Sequence, residues 1–396
     1  MVEEPLRTAV ARAVDPDEVV RFARALIAAP SENPGGTEDE VAEVAEALLH
    51  DLGASTTVVR SEAGRPSVIG RIGDGRRPRL AWNGHLDVVP AGSLDTWSHD
   101  PWAGEIVDGR LVGRGAVDMK GSIAAALAAA AAVRRADADL AGTLEFHLVA
   151  DEELAGTHGT KVLWTEGLLD QDACIVGEAS GLQLGMAQRG GAWITATTFG
   201  AAAHGSQPHL GVNAITTMAR FLLRLHEVVP DAEHELTGRA TVNAAMISGG
   251  SAPNVVPDRC EVDIDRRLSP GERDPAAVLA PFEALARDLE RDDPDTRLAF
   301  AIREWTDAAE AERDAAIASL ARSAVETITG RRPDDVGFTG ITDARFYLNE
   351  AAIPAVILGP GSLGDAHTAD ESVAVDDLVA AARIDAVVFT DFLGRR

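Results

Sequence analysis

The run Arg79-Leu80-Ala81-Trp82-Asn83-Gly84-His85-Leu86-Asp87-Val88-Val89 reads as an extended, largely apolar segment that carries an imidazole and a carboxylate two residues apart. Residues so spaced on a strand share a face, so His85 and Asp87 can project together from its end. An imidazole ligates metals, and a neighbouring carboxylate can hold its second nitrogen and orient the ring. The same pair also serves as an ordinary structural hydrogen bond, so the motif by itself leaves both readings open. What decides between them is repetition. Leu144–Ala150 is another such run and ends on Asp151-Glu152-Glu153, and Ala173–Gly177 is followed by Glu178. Polar groups gathered where apolar strands stop mark the side on which α/β sheets place their sites.

Helical signals alternate with these strands. Asp15, Pro16 and Glu18 suit a helix start, and Val19, Phe22 and Leu26 form its apolar stripe up to Pro30. Thr37 and Glu40 are spaced for a second capping box ahead of Val41, Val44 and Leu48, with Gly53 as the stop. Ser67–Ile72 reads as a strand, and Glu105–Val107 and Leu111–Gly113 flank the hairpin turn Asp108-Gly109. Ile123–Val133 is mostly alanine, too short for a bilayer, and reads as a buried helix. Helices interleaved with apolar strands predict an α/β layer around a largely parallel sheet.

The middle of the chain changes order. Strand Trp193–Phe199, a helix over about 213–228, strands Thr241–Ser248 and Cys260–Leu268, a helix over about 275–289 and strand Leu298–Ile302 give β-α-β-β-α-β. That is the order of a ferredoxin-like module able to form its own core. After it the tail returns to helix, strand (Pro354–Leu358) and helix. The expected organisation is a discontinuous domain, 1–190 and 304–396, interrupted by an inserted module at 191–303; 396 residues are ample for two cores.

Composition narrows the function classes. With 36 basic and 63 acidic residues the formal charge is −27, a field that repels phosphate backbones and argues against nucleic acid. Cys174 and Cys260 sit in apolar strand-like runs and read as free thiols of a reducing cytosol. The N-terminal stretch is charged and lacks the apolar core of a signal peptide, so the expectation is a cytoplasmic protein without membrane attachment.

Gly113-Arg114-Gly115-Ala116-Val117-Asp118 begins like a dinucleotide loop, but Asp118 stands where the third glycine belongs and would face a pyrophosphate. A carboxylate amid glycines can instead bridge two cations. Asp151-Glu152-Glu153 repel one another unless solvated or neutralised, and an exposed acidic turn is the plain alternative. Late in the chain Gly359-Pro360-Gly361 precedes His367 within Asp365-Ala366-His367-Thr368-Ala369-Asp370-Glu371. Two histidines with several carboxylates make a mixed nitrogen and oxygen donor set suited to zinc or a similar divalent ion. His147, His50, His99, His158, His226 and His234 lack such settings and read as core or surface residues.

Taken together, Gly84-His85-Leu86-Asp87-Val88-Val89-Pro90, Gly113–Gly121, Asp151-Glu152-Glu153 and Gly177-Glu178 resemble the dinuclear zinc amidohydrolase and exopeptidase family. That family includes succinyl-diaminopimelate desuccinylase, acetylornithine deacetylase, aminoacylase and glutamate-releasing carboxypeptidases. The resemblance implies a phosphorylase/hydrolase-like zinc-peptidase catalytic domain with a ferredoxin-like lid and dimerisation domain. It implies two divalent metal ions, zinc with cobalt or manganese as alternatives, one held by His85 and Glu178, the other by Glu153 and His367, with Asp118 bridging. Asp87 would orient His85, the peptide after Asp118 would be cis, and Glu152 would be the general base for a metal-bridging hydroxide. Glu152 and Glu153, adjacent on an extended segment, would face opposite ways.

In the inserted module His204, within Ala203-His204-Gly205-Ser206, resembles a lid histidine that reaches the partner subunit's site and stabilises the oxyanion. Asn254, Arg267, Arg189 and Thr342 resemble substrate-binding positions, Arg267 being preferred to Arg266 on register alone. Gln207 and His209 have no assigned role. The implied activity is hydrolysis of the amide bond of an N-acyl amino acid by a homodimer joined through the lid. A dipeptidase or carboxypeptidase with the same centre is the rival enzyme, and a metal-binding homologue without turnover the rival from another class.

Overall fold

The computed structural model describes residues 4–394. Two compact units emerge: Met1–Met186 with Ala311–Val336 and Thr342–Arg396, and Ala187–Glu310 with Gly337–Ile341. The expected boundaries at 191 and 303 lie inside the second unit. Its last long strand runs Leu298–Thr306, past the apolar stretch that ends at Ile302, because a bulge between Ile302 and Glu304 lets pairing continue through Trp305.

In the first unit local signals and structure agree in most places. Asp15 caps helix Pro16–Ile27 by accepting from the Asp17 amide, and Val19, Phe22 and Leu26 are buried. The expected capping box at Thr37 does not form. Helix Asp39–Asp51 starts one residue later, with Glu38 at the cap position and no side-chain cap bond. The Glu38 carboxylate is drawn instead to Arg65. The alanine-rich helix Lys120–Arg135 is buried from Lys120 to Val133, its small side chains admitting helices Val375–Leu393 and Pro16–Ile27.

The sheet of this unit follows the order Ser55–Arg60, Pro66–Ile72, Thr143–Val149, Arg79–His85, Ala173–Val176, Ala355–Ile357, Leu184–Gln188. The four middle members are mutually parallel, and the flanking pairs are antiparallel. Parallel register is what matters for function. It brings the C-terminal ends of Arg79–His85, Thr143–Val149 and Ala173–Val176 to one side, each followed by acidic residues. A separate three-stranded sheet pairs the hairpin Glu105–Val107/Arg110–Val112 with Ser372–Ala374. Its turn residues Asp108 and Gly109 both have positive φ, 49° and 79°, as a two-residue hairpin turn of this type requires.

The second unit is the ferredoxin-like arrangement that its element order implies. Strands Thr241–Gly249, Arg259–Leu268, Gly190–Phe199 and Leu298–Thr306 lie side by side in that order, all antiparallel. Helices Ala214–Leu223 and Pro275–Asp292 pack on one face. Arg259–Leu268 alternates strictly between buried and part-exposed or exposed positions. Phe221, Phe282 and Phe300 meet at ring separations of 5.6–6.5 Å in its core.

Candidate metal centre

Each candidate ligand leaves the first unit's scaffold where a strand or loop ends. His85 closes Arg79–His85; Glu178 follows Ala173–Val176 after Gly177, where an added Cβ would lie 2.2 Å from the Trp82 ring. The missing side chain lets the chain pass the indole at that point. Asp118 ends the loop before helix Lys120–Arg135, and the peptide after it is cis. Glu153 lies in the short 3-10 turn Glu152–Leu154, and His367 in the loop before Ser372–Ala374, with a left-handed φ of 61°.

These five side chains converge. His85 Nε2 is 2.9 Å from Asp118 Oδ1 and 3.7 Å from Glu178 Oε1. His367 Nε2 is 3.2 Å from Asp118 Oδ2 and 3.3 Å from Glu153 Oε2. Asp118 therefore turns one oxygen to each trio. Among the described residues, His85/Asp118/Glu178 and Asp118/Glu153/His367 are the groups whose donor atoms lie close enough to hold an ion.

Electrostatics favours a cationic occupant. Burial pushes the Glu152, Glu153 and Glu178 carboxyls up, and their mutual repulsion and that of Asp118 or Asp343 add to it. Burial would lower the His85 imidazole, but Asp118, Asp87 and Glu178 raise it well above its ordinary value. Hydrogen bonds to Asp118 and Glu153 lift His367 to about 10. Protons are thus drawn in where cations are wanted, yet Glu153 Oε1 remains buried with no hydrogen-bond partner. Three carboxylates, Asp118, Glu153 and Glu178, with two imidazoles make a mixed oxygen and nitrogen donor set that attracts divalent cations and suits zinc-like chemistry.

Around the cluster, His85 Nδ1 donates to the backbone carbonyl of Asp87 at 2.8 Å, and the Asp87 carboxylate stands 3.5 Å from the same nitrogen and helps to raise the imidazole. That carboxylate also accepts the amides of Glu152 and Glu153, both at 3.1 Å. Further, Glu152 and Glu153 are not on an extended segment: Asp151 takes a left-handed φ of 65° and the chain turns at once. Their side chains diverge because successive residues of a 3-10 turn are about 120° apart.

The remaining candidates are placed as follows. Thr342 is fully buried in the first unit, its hydroxyl accepting from the Ala344 amide. In the second unit His204 is exposed; its Nδ1 accepts from the Ser206 amide at 3.2 Å, which leaves the neutral ring's proton on Nε2. Exposed Asn254 lies beside it, because Gly205 donates to the Asn254 carbonyl at 2.7 Å and a Cβ at Gly205 would sit 2.9 Å from that backbone. Arg267 is half-buried on the strand face opposite the helices and pairs with Asp265, whereas Arg266 is buried and pairs with Glu272. Strand alternation thus separates the two arginines. Arg189 spends its guanidinium on the Thr237 and Arg239 carbonyls.

Sequence reasoning gave no role to the residues that hold the candidate ligands in place. Glu371 is buried and accepts the amides of Val117 and Asp118 at 2.8 and 3.1 Å while pairing with Arg114. Arg345 donates to the Ala155 carbonyl that closes the acidic turn. Asp151 accepts the His158 amide. Asp151 and Glu371 both lie inside motifs read from the sequence, though nothing there marked them as supports, and Arg345 carried no signal.

Comparison with known proteins agrees with this geometry. A sequence profile described as peptidase family M20/M25/M40 matches residues 81–389. A succinyl-diaminopimelate desuccinylase of Rhodospirillum centenum is 33% identical over 92% of this chain and 94% of its own length. Human carnosine dipeptidase 1 shares the fold at a TM-score of 0.77 and 19% identity, covering 98% of this chain and 99% of its own. Bacillus subtilis YXEP, described as a dinuclear metal binding peptidase from the M20 family, does so at 0.70 and 17%, covering 99% of each. The chain belongs to peptidase family M20/M25/M40 and is a metal-binding hydrolase of amide bonds.

Proposed function

We propose that the protein is a deacylase that hydrolyses the amide bond of an N-acyl amino acid. The observation that carries this reading is the split carboxylate of Asp118, one oxygen toward His85 and the other toward His367, with Glu152 beside the cluster. The name of the Rhodospirillum centenum relative supports the substrate class. His85, Asp118 and Glu178 would hold one divalent ion and Asp118, Glu153 and His367 the other, zinc by donor chemistry with cobalt or manganese as alternatives. Bound there, the pair supplies Lewis acidity that acidifies water and polarises the scissile carbonyl.

The chain's own groups do the rest. Glu152 removes the proton from the attacking water and returns it to the departing nitrogen. Burial and the neighbouring carboxylates raise Glu152, which suits a group that must both accept and release a proton. His204, with its Nε2 proton free, donates to the oxyanion from a second copy of the chain; a homodimer through the second unit follows from that role. Asn254 and Arg267 anchor the substrate carboxylate, while Arg189 serves only by giving up two carbonyls. A cytosolic setting is supported by two free buried thiols. Among the described residues no helix is long and apolar enough to cross a membrane.

Glu152→Gln tests the assignment. Turnover of N-succinyl and N-acetyl amino acids should fall by about 100-fold or more while two metal equivalents remain bound; unchanged activity would overturn the base. Faster hydrolysis of a dipeptide than of either acyl substrate would make the protein a dipeptidase instead. A fully active monomer at assay dilution would refute the role of His204 in a partner's site.

A further inference from the structure

Asn33 lies outside every motif discussed above, in the turn Asn33-Pro34-Gly35-Gly36 far upstream of the acidic run, and it is 1% exposed. Its backbone amide donates to the Val88 carbonyl at 2.8 Å, which fixes the residue beside the strand end that carries His85 and Asp87. From there its side chain reaches two carboxylates at once. Nδ2 donates to Asp87 Oδ2 at 2.9 Å and to Asp151 Oδ1 at 3.0 Å. A primary amide has two hydrogens to give, and both are used. On its other side Oδ1 accepts from Arg65 Nη2 at 3.1 Å, and Arg65 is itself paired with Glu38. The orientation of the amide is therefore determined. Flipped, it would set its oxygen against two buried carboxylates and its NH2 against a guanidinium.

The two carboxylates that Asn33 joins flank the segment on which the proposed chemistry depends. Asp87 accepts the backbone amides of Glu152 and Glu153, one at each oxygen. Asp151 starts the turn in a left-handed conformation, accepts the Gly156 amide at its carbonyl at 2.6 Å, and accepts the His158 amide at its side chain. Without a donor between them, Asp87 and Asp151 are like charges buried at 0% and 3% exposure, and they repel. Separating them would rotate the backbone from which Glu152 and Glu153 project.

We propose that Asn33, oriented by Arg65, is the positioning residue of the acidic turn, its amide clamping Asp87 to Asp151 so that Glu153 faces its ion and Glu152 the substrate. This rests on the roles proposed above for Glu152 and Glu153. It makes Asn33 act through hydrogen bonds alone, touching neither substrate nor metal. Groups supporting a ligand in this way cost about 10- to 100-fold in metal affinity or activity when removed.

The test is titration of the metal-free full-length protein with Zn2+ against a competing chelator, for the native chain, Asn33→Ala and Arg65→Gln, together with kcat and KM after reconstitution. Asn33→Ala should bind one of its two Zn2+ equivalents about 10- to 100-fold more weakly and lose kcat by a similar factor with KM within about twofold. Arg65→Gln, which leaves Asn33 in place but frees its amide to turn, should show a smaller loss of the same kind, and it decides the matter if Asn33→Ala does not fold. Native Zn2+ affinity at both equivalents in a folded Asn33→Ala, or in Arg65→Gln where the alanine variant does not fold, overturns the positioning role and leaves the dinuclear reading intact. A native chain that binds fewer than two equivalents overturns both. A weakening shared equally by the two ions also overturns it, because a general loss of structure would do the same.

Discussion

Glu371 offers a sharp test of how the ligand loop is held. Its carboxylate and the Arg114 guanidinium are 0% and 3% exposed, and the same carboxylate accepts the amides of Val117 and Asp118. Glu371→Ala strips one partner from a buried ion pair, typically about 3–5 kcal/mol, because an uncompensated cation is left behind. The two orphaned amides are part of that loss, at about 1–3 kcal/mol for a buried unsatisfied group. Glu371→Gln keeps an acceptor for the amides but leaves the same cation uncompensated, so a cost of about 3 kcal/mol, the low end of that range, is expected. Burial raises the Glu371 carboxyl and Arg114 brings it only part of the way back, so the pair contributes little beyond neutralising itself. Removing the cation as well should then help. Arg114→Met combined with Glu371→Gln should be more stable than Glu371→Gln alone by about 1 kcal/mol or more. The assay is urea unfolding of the metal-stripped protein followed by tryptophan fluorescence; the native chain, Arg114→Met, Glu371→Gln and the double variant form a double-mutant cycle, with Glu371→Ala measured beside them. If Glu371→Ala costs less than about 1 kcal/mol, or if the double variant is as unstable as the sum of the singles, the reasoning fails.

Other perturbations reach different parts of the molecule. Asp118→Asn should abolish retention of both metal equivalents, because one residue faces both trios, and elemental analysis after dialysis measures it. Saturating Zn2+ should raise the thermal midpoint of the stripped protein, each site adding about 2.7 kcal/mol at a hundredfold excess over its Kd; an unmoved midpoint would contradict the site. Burial would raise Glu145, but His147 and Arg79 hold it down to about 2. Its contribution is therefore complete above an unfolded value of about 4.5 and is lost as pH falls toward 2. Glu145→Gln should cost about 2 kcal/mol at pH 6 and much less at pH 3, read from unfolding midpoints. Phe282→Ala, at 0% exposure in the aromatic core of the second unit, should destabilise that unit by about 3–5 kcal/mol while metal stoichiometry stays at two.

Much of this protein can be read from its residues in order. Apolar runs closing on acids announced parallel strands with a site at their ends, since a strand buried on both faces has to be apolar and its end is where a polar group first meets solvent. The β-α-β-β-α-β order of the middle segment implied its four-stranded antiparallel sheet, and alternation along Arg259–Leu268 separated Arg266 from Arg267. The five candidate ligands each sit in a short motif of their own, weak singly, and their joint resemblance to a metallohydrolase family is what singled them out; the structure brings them together. Tertiary structure alone decided what supports them. Thr37 and Glu40 had the spacing of a capping box, but Arg65 captures Glu38 and the helix starts elsewhere. Asp87 stood two residues from His85 and was expected to hold the ring, but nothing in the sequence showed that the same carboxylate also accepts the amides of Glu152 and Glu153. Asn33 and Asp151 are 118 positions apart, and Arg114 and Glu371 are 257 apart. Ligands are legible because chemistry restricts which residues can bind an ion. Their supports are not, because any donor can serve a buried carboxylate and only the folded chain brings one within reach.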